Sequence, residues 1–105
     1  AAFLFSSTIS LYVIGKAGLL AATRAMAAEF EPFGIRVNAL SPGTVDTDMV
    51  RKNTHEAQDV MTSIQLMKRM ASPDEMVGPA LMLTSDAGSF ITGQVVFADG
   101  GMVPR

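Results

Sequence analysis

Two residues near the beginning of the chain, Tyr12 and Lys16, have the types and the spacing of a proton-transfer pair. On a helix, side chains four residues apart lie one turn apart on the same face, so the ammonium group can approach the phenol. Bringing a tyrosine pKa from ~10 to ~7 requires about 4 kcal/mol, which a unit charge about 4 Å away can supply near a protein surface. The pair could therefore act as a general acid/base on a substrate oxygen, or it could simply share a helix surface.

One long helix must carry this pair. Residues 11–30 are rich in Ala, Leu, Met and Glu, which predicts a helix that closes near Gly34. The apolar run at residues 1–5 predicts a buried strand before this helix, and the β-branched run at residues 35–40 predicts a strand after it. We expect Ser41-Pro42-Gly43 to end the second strand in a tight loop, because proline and glycine are poor central-strand residues.

The rest of the chain continues this alternation. Residues 49–70 are polar with weak periodicity, which predicts short helices. Their Met49, Met61, Met67 and Met70 could cover an apolar substrate or could simply fill core or surface. The sequence Ser72-Pro73-Asp74-Glu75 is typical of a capping box, and its helix should run to about Ser85. A last strand is expected at residues 94–98, before the Asp99-Gly100-Gly101 turn. This order predicts an α/β fold, half of a doubly wound parallel sheet, with one bare edge and uncovered apolar side chains.

The composition narrows the classes of function. With 105 residues and 49% hydrophobic content, the chain can form one compact unit with a modest core. A net charge of −2 argues against nucleic acid or an anionic membrane as the main partner. The chain has no cysteine and a single histidine, His55, to which we assign no role; this excludes a disulfide framework, and we expect no metal site. The apolar opening is too short to span a membrane, and these features fit a cytoplasmic protein.

Several motifs in register resemble the short-chain dehydrogenase/reductase family. The stretch from Tyr12 to Leu19, YVIGKAGL, resembles the active-site helix of that family, and residues 34–43, GIRVNALSPG, resemble its strand and Pro-Gly loop. Thr47-Asp48-Met49, Arg69, the capping box, ITGQ at 91–94 and Asp99-Gly100-Gly101 extend the match in the same order. The resemblance implies that residues 1–105 form the C-terminal part of a single NAD(P)-binding Rossmann-like domain, whose N-terminal dinucleotide-binding half is absent.

The same resemblance implies roles for the residues that would carry catalysis. Tyr12 would be the proton donor in the reductive direction, and Lys16 would lower the pKa of Tyr12 while hydrogen-bonding the nicotinamide ribose. Ser7 occupies the place of the substrate-orienting serine, although the segment between it and Tyr12 is shorter than is usual in the family. Either Ser7 or Ser10 could therefore take that role.

The cofactor contacts implied by the resemblance lie in and after the Pro-Gly loop. Pro42 and Gly43 would let the backbone pass close to the nicotinamide, and Val45 would offer main-chain groups to its carboxamide. The hydroxyl group of Thr47 would hydrogen-bond the cofactor. The cofactor could be NAD or NADP, because the chain contains neither the Gly-rich phosphate turn nor the residue that chooses between them.

Three hypotheses follow. The leading one is an NAD(P)-dependent oxidoreductase subunit that transfers hydride between the cofactor and a small carbonyl or alcohol substrate, in a homodimer or homotetramer built on the long helix and the last strand. The second is a truncated, inactive fragment or an interaction module that pairs with a full-length relative, motivated by the missing phosphate loop. A nucleotide-sensing regulator is the weakest, because sensing needs no proton donor.

Overall fold

The computed structural model describes the backbone of residues 10–102 and the side chains of residues 14–102. The strand predicted at residues 1–5 lies outside this range. The helices are α1 (Ser10–Phe30), α2 (Asp48–Arg51), α3 (His55–Ser63) and α4 (Val77–Thr84), and the strands are β1 (Ala39–Pro42) and β2 (Val95–Ala98). Single 3₁₀ turns occupy Glu31–Phe33, Pro73–Met76 and Asp86–Gly88.

Helix α1 confirms the prediction for residues 11–30. The helix gives way to the first 3₁₀ turn, which ends at Gly34 with φ at 70°, a left-handed conformation that glycine adopts at low cost. Ala27 and Thr23 are the buried residues of α1, and the Thr23 hydroxyl donates to the Leu19 carbonyl at 2.9 Å. The carboxyl-terminal half of α1 therefore packs against the rest of the protein.

Strand β1 begins and ends later than predicted. Residues 35–38 are not in the strand. Val37 and Asn38 instead form hydrogen bonds with the 91–94 loop, and these bonds involve the side chains of Thr92 and Asn38. The Val37 amide donates to Thr92 Oγ1 at 3.1 Å, and the Val37 carbonyl accepts from the Gly93 amide at 2.7 Å. Asn38 donates to the Ile91 carbonyl at 2.9 Å and accepts from the Gln94 amide at 3.0 Å. The extended backbone therefore becomes a strand only at Ala39.

Ser41 and Pro42 belong to β1, so the prediction that they form the turn after it is wrong. Pro42 pairs with Ala98, at the end of a parallel ladder that begins with Ala39 opposite Val95. The Ala39 amide donates to the carbonyl of Gln94, just before β2, and the Gly43 amide donates to Ala98 in β2. With period two, the missing amide of Pro42 falls on the side away from β2. Pro42 therefore costs the ladder no hydrogen bond. The predicted parallel pairing of the two strands is confirmed.

The segment between the strands contains the short helices expected from its polar, methionine-rich sequence. Thr47 caps α2 and Thr54 caps α3, each accepting a hydrogen bond from the backbone amide three residues later. The predicted helix from Ser72 to about Ser85 is a 3₁₀ turn followed by α4. Glu75 reaches back to the Ser72 amide at 2.9 Å, as the capping-box prediction requires.

The described part of the chain has a small core and much exposed apolar surface. Ala27 and Leu83 are its only buried hydrophobic residues, while Leu19, Leu81 and Phe97 are examples of large apolar side chains that are at least two-fifths exposed. This agrees with the expectation for half a doubly wound sheet, which leaves apolar side chains uncovered. Within residues 10–102, no helix is long and apolar enough to cross a membrane.

Candidate functional site

The loop that is predicted to contact the cofactor, residues 43–47, follows β1 at the carboxyl ends of β1 and β2, and we call it the cofactor loop. The Gly43 amide donates to the Ala98 carbonyl at 3.1 Å and so continues the ladder one step beyond β1. The loop then pairs with Ala71, whose amide donates to the Thr44 carbonyl and whose carbonyl accepts from the Asp46 amide, both at 2.8 Å. Four predicted cofactor contacts, Pro42, Gly43, Val45 and Thr47, are therefore brought together on one short extended stretch.

The backbone of Val45 faces away from Ala71. Val45 and Ala71 form a parallel bridge, in which Ala71 bonds to the residues on either side of Val45 and not to Val45 itself. In such a bridge the amide and carbonyl of the middle residue point away from its partner. Among the residues that the structure describes, neither backbone group of Val45 has a hydrogen-bond partner. One donor and one acceptor are thus presented together at the end of the sheet.

Thr47 ends the cofactor loop as the N-cap of α2. Its hydroxyl oxygen accepts a hydrogen bond from the Val50 amide at 3.4 Å, and the side chain is partly exposed. A threonine hydroxyl can accept and donate at the same time, so this cap leaves its proton available to a ligand. The helix that Thr47 begins carries an Arg51 side chain that binds Asp46 at 2.7 Å and so ties α2 back to the loop.

Gly43 is required by a close approach inside the protein. A Cβ atom at this position would lie 2.7 Å from Gln65 Oε1, 2.8 Å from Asp99 Cα and 2.9 Å from the Asp99 carbonyl oxygen. The first atom belongs to a side chain, but the other two belong to the backbone that follows β2. Gly43 is therefore required by its approach to the Asp99 backbone, and its predicted approach to the nicotinamide stays a prediction.

Gln65 holds the cofactor loop from the buried side, and it was not among the site residues predicted from the sequence. This residue is only 2% exposed. Its Oε1 accepts from the Thr44 amide at 2.8 Å, and its Nε2 donates to the carbonyls of Met67 and Arg69, both at 3.0 Å. Its neighbours Ile64, Leu66 and Met67 are apolar, but a lone glutamine among them does not show from sequence alone which backbone groups it will bind.

The turn after β2 lies directly beside this glutamine. Asp99 is 6% exposed, and its Oδ1 accepts from the amides of Gly101 and Met102 at 3.0 and 3.3 Å. Gly100 and Gly101 both have positive φ, at 63° and 77°, which confirms that this glycine pair serves a turn. The turn closes one side of a pocket of about 150 Å³ lined also by Gly43 and Gln65.

An ion pair fixes the other side of that pocket. Arg69 donates to both carboxylate oxygens of Glu75, at 2.8 and 3.0 Å. Hydrogen bonds from Arg69 and from the Ser72 amide lower the pKa of Glu75 to about 2. Arg69, matched to the family by sequence, therefore anchors the start of the turn that leads into α4.

The predicted catalytic residues are only partly within the described range. Lys16 lies on the exposed surface of α1, and Tyr12 occupies the same helix one turn earlier, with its side chain outside the described residues. Ser7 also lies outside them, and Ser10 is described only as the first backbone position of α1. Within residues 10–102, no three His, Asp or Glu side chains come close enough to hold a metal ion.

A larger pocket of about 560 Å³ lies at the opposite end of the strands. Arg36, Glu31 and Phe90 are among its lining residues, and none of the predicted site residues is. Arg36 donates to the carbonyls of Ile91 and Ser85 at 2.9 and 3.0 Å, so its guanidinium group is used to hold the loop before β2. Size alone therefore does not select this pocket as the site.

Comparison with known proteins identifies the family of this chain. The family model described as Enoyl-(Acyl carrier protein) reductase matches residues 3–103. This chain belongs to the short-chain dehydrogenase/reductase family. An uncharacterized oxidoreductase of Mycobacterium tuberculosis is 39% identical over 107 residues, which cover 100% of this chain and 42% of the relative.

Solved structures of the family share the fold. The crystal structure of a 3-oxoacyl-[acyl-carrier protein] reductase from Brucella melitensis has a TM-score of 0.83 and 37% identity, covering 90% of this chain and 35% of that protein. A 4-hydroxyisoleucine dehydrogenase complexed with NADH has a TM-score of 0.78 and 33% identity, covering 90% of this chain and 40% of that protein. The chain is thus a partial Rossmann-type α/β fold and spans about two-fifths of the length of such relatives.

Proposed function

We propose that this chain carries the nicotinamide side and the catalytic residues of an NAD(P)-dependent oxidoreductase that interconverts a carbonyl and an alcohol. The observation that carries the proposal is the presentation of the Val45 backbone at the carboxyl end of β1. The carboxyl ends of parallel strands are where open α/β sheets bind their ligands. Family membership and the NADH bound by a structural relative support the same reading.

The cofactor loop has the donors and acceptors that a nicotinamide carboxamide needs. A carboxamide has one carbonyl and one NH₂ group, and the amide and carbonyl of Val45 could pair with both. The Thr47 hydroxyl retains its proton for a further bond, while Pro42 and Gly43 would lie along the ring. When bound, a reduced nicotinamide supplies the hydride for the carbonyl carbon.

Helix α1 would bring the acid/base to the same end of the sheet. Its last turns pack near the beginning of β2, since a Cβ at Gly93 would lie 3.4 Å from the Ala27 side chain. Helices that connect parallel strands run back along the sheet, so the first turns of α1 would lie towards the carboxyl ends of the strands. Tyr12 would donate its proton to the carbonyl oxygen, and the Lys16 ammonium group would stabilise the phenolate left behind.

Ser7 is our candidate for orienting the carbonyl oxygen, and Ser10 is the alternative. We further propose that the intact protein includes a phosphate-binding half outside residues 1–105, and that exposed apolar residues of α1 and β2, such as Leu19 and Phe97, meet another subunit in a homodimer or homotetramer. Either NAD or NADP would suit the residues described, because both carry the same nicotinamide.

Replacing the acid/base tests the proposal. In the complete protein, Tyr12→Phe should lower turnover by about 10²- to 10⁴-fold, because the proton donor is lost, while the Kd for reduced cofactor stays within about twofold. Lys16→Met should also lower turnover, and Lys52→Met on the exposed turn after α2 is the matched control. Turnover that survives in Tyr12→Phe would contradict the assignment.

An inactive interaction module is the second candidate. Its support is the large exposed apolar surface of the described residues. Titration with NADH and with NADPH, followed by nicotinamide fluorescence, separates the two candidates. The oxidoreductase binds at least one of them saturably, whereas the module binds neither and instead co-purifies with a full-length relative.

A further inference from the structure

We infer that Gln65 is a positioning residue that fixes the cofactor loop in the conformation that presents Val45. The inference rests on the proposed function, and it concerns a residue that touches neither the nicotinamide nor the substrate. Gln65 would act through the backbone of Thr44, the residue immediately before Val45. Its role would be to decide which face of the loop is turned towards the cofactor.

The hydrogen bonds of the loop show how this works. The Thr44 amide donates to Gln65 Oε1 at 2.8 Å, and the Thr44 carbonyl accepts from the Ala71 amide at 2.8 Å. Both backbone groups of Thr44 are therefore held on the inner side of the loop. Because Ala71 bonds to the residues on either side of Val45, holding Thr44 inward leaves the amide and carbonyl of Val45 facing outward.

The Gln65 side chain is chemically suited to this task, and neither a carboxylate nor an apolar side chain could make the same hydrogen bonds. Both donors of its amide are used, by the carbonyls of Met67 and Arg69, and its oxygen is used by Thr44. At 2% exposure, water cannot replace these bonds. A carboxylate here would turn an acceptor towards two carbonyls, and an apolar side chain of the same length would leave all three backbone groups unpaired.

The same residue links the cofactor loop to the segment that carries α2 and α3. The amides of Leu66 and Met67 donate to the carbonyls of Gly101 and Gly100 at 2.8 and 2.9 Å, so the backbone just after Gln65 is bound to the turn after β2. The glutamine is thus attached to a backbone segment that the turn after β2 holds in place. A fixed base is what a positioning residue requires.

The test compares two Gln65 variants with a glutamine outside the site, in the complete protein. Gln65→Met keeps the length of the side chain and removes its hydrogen bonds, whereas Gln65→Glu keeps the acceptor for Thr44. Gln94→Met is the control, because Gln94 is exposed and its side chain makes a single bond of 3.4 Å. The measurements are kcat and the KM for reduced nicotinamide, together with hydrogen exchange of the Thr44 amide.

We expect Gln65→Met to raise the KM for NADH or NADPH about tenfold or more, with kcat at saturation changed less than about threefold. The Thr44 amide should exchange faster in Gln65→Met but stay protected in Gln65→Glu, and Gln94→Met should match the wild type. A merely structural role would lower the fraction of active protein and leave the KM unchanged, and that result would overturn the inference.

Further outcomes distinguish a failure of the inference from a failure of the proposed function. If the wild type binds cofactor but its Thr44 amide exchanges without protection, the loop is not held by Gln65, and the inference fails even if no variant folds. If the wild type binds neither NADH nor NADPH, the proposed function fails, and the inference fails with it. If the wild type is active and Gln65→Met has the same KM, the inference fails while the proposed function stands.

Discussion

Replacing Gly43 with alanine should destabilise the protein through a clash with backbone atoms. The added methyl group would lie 2.8 Å from Asp99 Cα and 2.9 Å from the Asp99 carbonyl oxygen. Gln65 Oε1, at 2.7 Å, could move, but only by giving up its bond to Thr44. Overpacking of this kind costs about 1–3 kcal/mol, and in a domain of this size each kcal/mol lowers Tm by roughly 4–8 °C.

The assay is thermal unfolding followed by circular dichroism, with urea unfolding as a second measure of the free energy. Gly18→Ala is the matched control, because it makes the same chemical change on α1, where a Cβ would meet nothing within 4 Å. There alanine should stabilise the helix by about 0.5–1 kcal/mol. The two changes should therefore have opposite signs. A Gly43→Ala variant as stable as the wild type would refute the close packing of the cofactor loop on Asp99.

Two other predictions follow from the caps and from the ion pair. Thr47→Ala and Thr54→Ala should each lower the free energy of unfolding in urea by about 1 kcal/mol, because each removes an N-cap. Only Thr47→Ala should also raise the KM for cofactor. Equal KM values in both variants would exclude a cofactor contact for Thr47. Because the pKa of Glu75 is lowered to about 2, its stabilising effect is complete above the ordinary carboxyl pKa and is lost as pH falls towards 2. Glu75→Gln should therefore flatten the pH dependence of unfolding between about pH 4.5 and 2, and an unchanged pH dependence would contradict the Arg69 pairing.

The elements with strong local signals were predictable from sequence. Helix α1, its glycine end, the Glu75 cap and the parallel pairing of the strands all follow from composition, spacing and turn chemistry. The bounds of β1 were not predictable, because they depend on hydrogen bonds that the side chains of Asn38 and Thr92 make with residues distant in the sequence. Long-range side-chain bonds of this kind leave no periodic trace in a single chain.

The candidate site, too, was only partly predictable from the sequence. The loop residues Gly43, Val45 and Thr47 could be singled out from their motif, and their positions in the fold agree with a common site. What turns Val45 outward could not be foreseen, since it depends on Ala71 and Gln65, which lie at least 20 residues away from it in the sequence. Burial of a lone polar residue is decided by the assembled fold, and no local pattern encodes it.

The central claim is that the outward-facing backbone of Val45 receives a nicotinamide. Amide NMR spectra recorded while NADH or NADPH is added test it most directly. The Val45 resonance should shift saturably, while that of Gly34, beside the larger pocket at the opposite end of the strands, should remain in place. A saturable shift at Gly34 with none at Val45, or no saturable shift at all, would contradict the assignment.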